Sequence, residues 1–151
     1  MVTRADVVAT ARSYIGTPYH HMGRAPGMGL DCGGIIVCVG RELGIFAPDF
    51  DVPPYTRSPD AVTLLAWCRL YLREIDKDTM QPGDIIMLIT DVYPQHLGIL
   101  GRWEYGGKSA PHSIIHSSNS RSVVPPRVIE MRLMFSRNQR FVAAFSFPGV
   151  E

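Results

Sequence analysis

The spacing of apolar residues changes once along this chain, near Gln81-Pro82-Gly83-Asp84, and that change limits the folds open to it. Before the turn, apolar residues recur at helical spacing. Val7, Val8, Ala11 and Tyr14 follow a Thr3 cap with Asp6 at the capping-box position, and Gly16-Thr17-Pro18 ends the run. After the turn the period is two, with strands expected at Ile85–Thr90, His96–Trp103, Ser113–Ser118 and Arg140–Phe147. Helices followed by strands predict an α+β fold with an antiparallel sheet.

The stretch from Cys32 to Leu43 is ambiguous by local rules. Ile35, Ile36, Val37 and Val39 are β-branched and suit a buried strand. Yet Ile35, Ile36, Val39 and Leu43 share one helical face, and Gly44 stands at a C-terminal cap position. Twelve residues is long for a strand, so the expectation is a buried helix in which Gly33, Gly34 and Gly40 permit close backbone approach. Residues 47–57 hold three prolines and read as an irregular loop. Ser58-Pro59-Asp60 reads as the start of a further helix running to about Arg73.

Composition excludes several classes. With 151 residues, 46% apolar and 19% charged, the chain fits one folded domain, residues 1–151, and not a disordered segment. No apolar run reaches the length of a membrane span. A net charge of +1 gives no general argument for nucleic-acid binding. Charge is nonetheless segregated: net −4 from Glu74 to Glu104, and net +5 from Tyr105 to Val150. That contrast reads either as ordinary solvated charge or as a basic docking face. Met1 to Asp6 lacks the pattern of a secretory signal, and three cysteines make no disulfide framework, so synthesis in a reducing cytoplasm is expected.

Three residues carry candidate chemistry. Cys32 follows an acidic residue and a glycine-rich loop and begins the expected helix, where the dipole favours a thiolate. The plain alternative is a small buried hydrophobe; Cys38 and Cys68, inside apolar helical stretches, read as core. His96 opens a strand after a turn, with Gly98 leaving room beside the ring. His116 lies in a second strand, and a hairpin turning at Gly106-Gly107 makes the two histidines cross-strand neighbours. Cysteine, base and orienting residue is the general logic of cysteine-nucleophile hydrolases, although either histidine could also be plain polar filling. His20-His21 has no ligand spacing around it, and no metal is expected.

Five segments in order carry a family resemblance: Gly16-Thr17-Pro18-Tyr19, Asp31-Cys32-Gly33-Gly34, Gln81-Pro82-Gly83-Asp84-Ile85-Ile86, His96-Leu97-Gly98-Ile99 and Ile114-Ile115-His116-Ser117. Together they resemble the NlpC-like cell-wall peptidases, papain-like cysteine hydrolases that cut peptidoglycan stem peptides. The C-terminal segments Val128–Leu133 and Ala144–Pro148 further resemble the branch found in phage tails and gene transfer agents.

The resemblance implies a papain-like fold with the nucleophile helix packed on the sheet. It implies Cys32 as nucleophile, His96 as general base and His116 as the residue that orients it. Tyr19 would line the site near the oxyanion, unless it only packs after Pro18, and Asp31 would be the acidic neighbour of the nucleophile. Many members carry serine where this chain has Gly33, which bears on how the stem peptide is held. No cofactor is implied. The implied substrate bond is D-glutamyl-γ-diaminopimelate, and the implied partners are phage-tail or baseplate proteins of a virion-borne enzyme. Two other readings stay open at this point: a structural tail-tip subunit with a vestigial site, and an amidase of small γ-glutamyl peptides.

Overall fold

The structure is a computed structural model that describes residues 1–57, 60, 62–90, 95–104 and 110–151. Among the described residues three α-helices form, α1 Arg4–Ser13, α2 Cys32–Glu42 and α3 Thr63–Tyr71. A two-stranded ribbon, β1 Arg24–Ala25 and β2 Gly29–Leu30, occupies the glycine-rich loop before α2. The main sheet contains β3 Arg73–Ile75, β4 Ile85–Thr90, β5 His96–Trp103, β6 Ala110–Ser118, β7 Arg127–Arg132 and β8 Gln139–Ser146. Its order is β3-β8-β4-β5-β6-β7, antiparallel throughout. The expected α+β architecture is therefore what forms.

Local chemistry explains the helix boundaries. Thr3 and Asp6 close a full capping box on α1. The Cys32 segment is a helix despite its β-branched residues, because burial on every side makes packing outweigh propensity. Its glycines are needed: a Cβ on Gly34 would lie 2.2 Å from the Gly23 carbonyl oxygen, and one on Gly40 2.1 Å from the Phe46 ring. α3 begins at Thr63, later than expected; Ser58 and Pro59 lie outside the described residues. Asp60 does the capping from outside the helix, accepting bonds from the Val62 and Thr63 N–H groups and the Thr63 hydroxyl.

Strands β4 and β5 fall where the alternation places them. Short β3 and the edge strand β7 escaped the sequence reading. Leu97, Ile99, Ile115, Met87 and Phe145 face the helices and join Val7, Ala11, Ile35, Val39 and Leu64 in the main core. Cys38 and Cys68 are buried in it. Ile86, Leu88, Leu100 and Ile114 form a second cluster on the opposite face.

The segment from Gly16 to His20 runs as a strap along the β7 edge. Gly16 N–H donates to the Val128 carbonyl, Val128 N–H to Thr17, and Tyr19 N–H to Pro126. The strap's other side bonds Leu30, the residue before Asp31, through Leu30 N–H to Pro18 and His20 N–H to Leu30. No helix among the described residues is long and apolar enough to cross a membrane.

Candidate active site

Asp31 organises the start of α2. It is the extended N-cap residue and only 2% exposed. Oδ1 accepts from the Gly34 N–H at 2.8 Å and from Arg24 Nη1 at 3.0 Å. Oδ2 accepts from the Met22 N–H at 2.8 Å and from the Tyr55 hydroxyl at 2.6 Å. Met22 has φ 58°, a left-handed conformation that disfavours side chains, and this bond helps hold it there. Arg24 also donates to the Tyr55 hydroxyl at 3.2 Å and pairs with Asp51 at 3.1 Å. Burying a carboxyl group is costly unless its oxygens are hydrogen-bonded, and four donors meet those of Asp31.

Cys32 is the first residue of α2 and half-buried. The expected lowering of its thiol pKa does not appear. Burial pushes it up to about 12, and the Asp31 charge adds to the rise. The N–H groups of Leu97 and Gly33 pull the other way without prevailing. One helix N-terminus cannot offset the loss of water around the sulfur together with an adjacent carboxylate.

The histidines meet, although by a different register from the one expected. Ile99 pairs with Ile115 and Leu100 with Ile114, so the next step sets Gly98 opposite His116. His96 is thus a diagonal neighbour of His116. Gly106-Gly107 lies outside the described residues. Gly98 makes the diagonal contact possible, since a Cβ there would lie 3.2 Å from the His116 Cβ. His96 Nε2 and His116 Nδ1 are 2.6 Å apart, with ring planes at 76°. Burial lowers His96 to about 4, and lowers His116 well below the usual histidine range with the charge of His96 adding to it.

Cys32, His96, Tyr19 and Asp31 line one narrow cavity of about 20 Å³, together with His21, Tyr55, Thr56, Arg57, Leu64 and Ser117. His96 also lines a second, hydroxyl- and amide-rich cavity of about 170 Å³ beside His116, Ser118, Asn119 and Asn138. Gly33 lines a separate apolar groove with Ile36, Phe46 and Trp67, while the direction a side chain would take from it leads to the Tyr55 hydroxyl.

Sequence reasoning missed Tyr55, Arg24, Gln95 and Ser117. Tyr55 sits in the proline-rich loop, where no periodicity marks it. Gln95 is buried and accepts the Leu64 N–H at 3.0 Å, tying α3 to the residue before His96. Ser117 donates to the Leu30 carbonyl at 2.7 Å. Among the described residues no group of three or more metal-ligating side chains gathers.

A scan of family models and a search of curated proteins found no match to this chain. Solved structures do match. The NlpC/p60 domain of the peptidoglycan hydrolase SagA aligns with TM-score 0.55 and 23% identity, over 96% of this chain and 99% of that one. NlpC2 from Trichomonas vaginalis aligns with TM-score 0.63 and 18% identity, over 97% of this chain and 47% of that one. An N-acetylmuramoyl-L-alanine amidase from Bacteroides uniformis aligns with TM-score 0.52 and 12% identity, over 95% and 98%. With three helices packed on an antiparallel sheet, the chain has the papain-like fold of the NlpC/p60 domains.

Proposed function

We propose that this protein is a peptidoglycan peptidase that cleaves stem-peptide amide bonds through Cys32, His96 and His116. The observation that carries the reading is the 2.6 Å contact between His96 Nε2 and His116 Nδ1, with His96 and Cys32 lining one cavity. The SagA domain and the Bacteroides amidase, both named for peptidoglycan chemistry, support that substrate class.

The chemistry starts from a neutral thiol and a neutral imidazole. His96 donates Nε2–H to His116, which keeps Nδ1 basic. As the substrate carbonyl enters, Nδ1 takes the Cys32 proton and the sulfur attacks carbon. Backbone N–H groups at the start of α2, with the Tyr19 hydroxyl, hold the developing oxyanion; such donors are worth about 3–4 kcal/mol each. The C–N bond breaks, and His96 returns its proton to the leaving amine. Water, activated by the same imidazole, then hydrolyses the thioester.

The finer reading is cleavage of D-glutamyl-γ-diaminopimelate by an enzyme carried in a phage tail or tail-like particle. The resemblance of the C-terminal segments and the basic run after Tyr105 support it. Mass spectrometry of fragments released from purified cell wall tests the activity and the bond. The expected result is new termini at one stem-peptide bond, absent with Cys32→Ala. An unchanged wall digest favours the structural-subunit alternative. Particles assembled with Arg127, Arg132 and Arg137 replaced by Ser test the location, with lower incorporation expected.

A further inference from the structure

Four strands end together beside the histidine pair. Thr90 closes β4, His96 opens β5, Ser118 closes β6 and Gln139 opens β8. All four residues line the cavity of about 170 Å³ described above, several times roomier than the one of about 20 Å³ at Cys32. His96 lines both, whereas Cys32 lines only the narrow cavity and His116 only the larger.

The walls of the larger cavity carry no charge near neutral pH. Among the described residues no Asp, Glu, Lys or Arg lines it; Arg121, Arg137 and Arg140 flank lining residues in sequence without joining them. Its titratable groups are His96 and His116, both held below the usual histidine range by burial. A charged ligand would lose water there and gain no counter-charge. The polar lining is hydroxyl and carboxamide, groups that both donate and accept. Its serines are set in place by the loop they form. Ser120 N–H donates to Ser118 Oγ and Ser122 N–H to Ser120 Oγ, each at 3.3 Å, and the Ser120 and Ser122 hydroxyls are 2.8 Å apart. Asn138 and Gln139 add carboxamides, while Val123 and Met131 add a small apolar surface. His116 brings an unmet group. Its Nδ1 is taken by His96, and its Nε2 is buried with no hydrogen-bond partner among the described residues. With His96 as donor, that Nε2 carries a hydrogen, so an acceptor oxygen suits this wall better than a further donor.

A neutral molecule rich in hydroxyls matches such walls. An acetamido group uses them most fully, since its N–H and C=O suit the carboxamides and its methyl the apolar surface. We propose that this cavity is a saccharide subsite for an N-acetylated amino sugar, so that the protein holds wall glycan beside the stem peptide it cuts. The glycan as source of the sugar rests on the peptidase reading above. Asn138 and Ser122 are binding residues here, outside the reacting atoms.

The experiment uses tri-N-acetylchitotriose as the probe, with maltotriose and the deacetylated, cationic chitosan trimer as comparisons. Calorimetry on the wild-type protein should show the acetylated trimer binding about tenfold more tightly than either, the scale of one amide hydrogen bond with its methyl contact. Asn138→Ala and Ser122→Ala should each weaken that binding about three- to tenfold. Asn138→Asp, which adds a charge at nearly the same shape, should weaken it at least as much. Asn138→Ala should also lower the rate on purified wall while leaving hydrolysis of a free stem peptide unchanged. No binding of the acetylated trimer, equal binding of all three sugars, or undiminished binding in both alanine variants overturns the subsite. Stem-peptide hydrolysis without sugar binding removes the subsite and leaves the peptidase reading standing. Selective sugar binding that depends on Asn138, without any hydrolysis, supports the subsite and instead removes the peptidase reading.

Discussion

The Tyr55 hydroxyl stands where a side chain at position 33 would have to go: a Cβ built on Gly33 lies 2.8 Å from that oxygen. Many relatives in the resembled family carry serine there. In this chain the Tyr55 hydroxyl, from the loop after α2, occupies that volume and donates to Asp31. Gly33→Ser should therefore destabilise by about 1–3 kcal/mol, the scale of overpacking. Tyr55→Phe should cost about 1–3 kcal/mol by removing a donor from a buried carboxylate. The double variant should recover part of the loss, because Asp31 Oδ1 lies 3.8 Å from the added Cβ and serine can take over the donation. Chemical denaturation of the four proteins measures the coupling, and strict additivity would contradict the relationship.

Alkylation rates test the state of the thiol. Cys32 should react before the buried Cys38 and Cys68. Its folded-state pKa is raised, so its labelling rate should climb about tenfold per pH unit through pH 7–10 without levelling off. A plateau near pH 7 would show a resting thiolate and refute the neutral pair. Cys32→Ser should keep the fold and lose about a thousandfold or more in wall hydrolysis.

Replacing the histidines should separate base from orienter. His96→Ala should lower kcat by about 10²–10⁴, the range for loss of a positioned proton-transfer group. His116→Ala should cost less, and His116→Asn less again, since a neutral acceptor can still hold the His96 Nε2–H. Turnover assays on purified wall give the ranking. Wild-type activity in His96→Ala removes the mechanism.

Stability should fall as the solution is acidified from about pH 6.5 toward 4. His96 is buried neutral with its pKa lowered to about 4, and the unfolded chain binds that proton near 6.5. Between those values the unfolded state holds more protons, so unfolding free energy declines with falling pH. His96 alone contributes roughly 3 kcal/mol of that decline, and His116 adds in the same direction. Urea denaturation at pH 7 and pH 4.5 measures it. His96→Asn should flatten the dependence, and an unchanged slope would place it on other groups.

The main elements were legible where one signal dominated. The α1 capping box, the β4 and β5 alternation and the apolar face of α2 each act within a few residues, so local rules reach them. The approach of His96 to His116 was also legible, though its register was off by one residue pair. Long hairpins fix register through bulges, and this pairing shifts between Gly101 and Trp103. Tyr55 and Arg24 were not legible, because their roles arise only once the proline-rich loop folds against Asp31. The raised thiol pKa was missed for a related reason: sequence shows the helix start but not the water excluded from it.

The strap along β7 bears on how precisely the reacting groups are held. Through Val128, Thr17, Pro18 and Leu30, an unbroken series of main-chain bonds joins the strand beside His116 to the residue before Asp31. Nucleophile and base sit on different layers, yet their spacing does not depend on side-chain packing alone. Trimming a methyl group from the core can loosen the interior while the belt still sets the gap between sulfur and imidazole. A change in the belt's own backbone works the other way, sparing the interior but misaligning the reaction. In this protein, thermodynamic robustness and catalytic alignment are therefore separable properties, resting on different bonds.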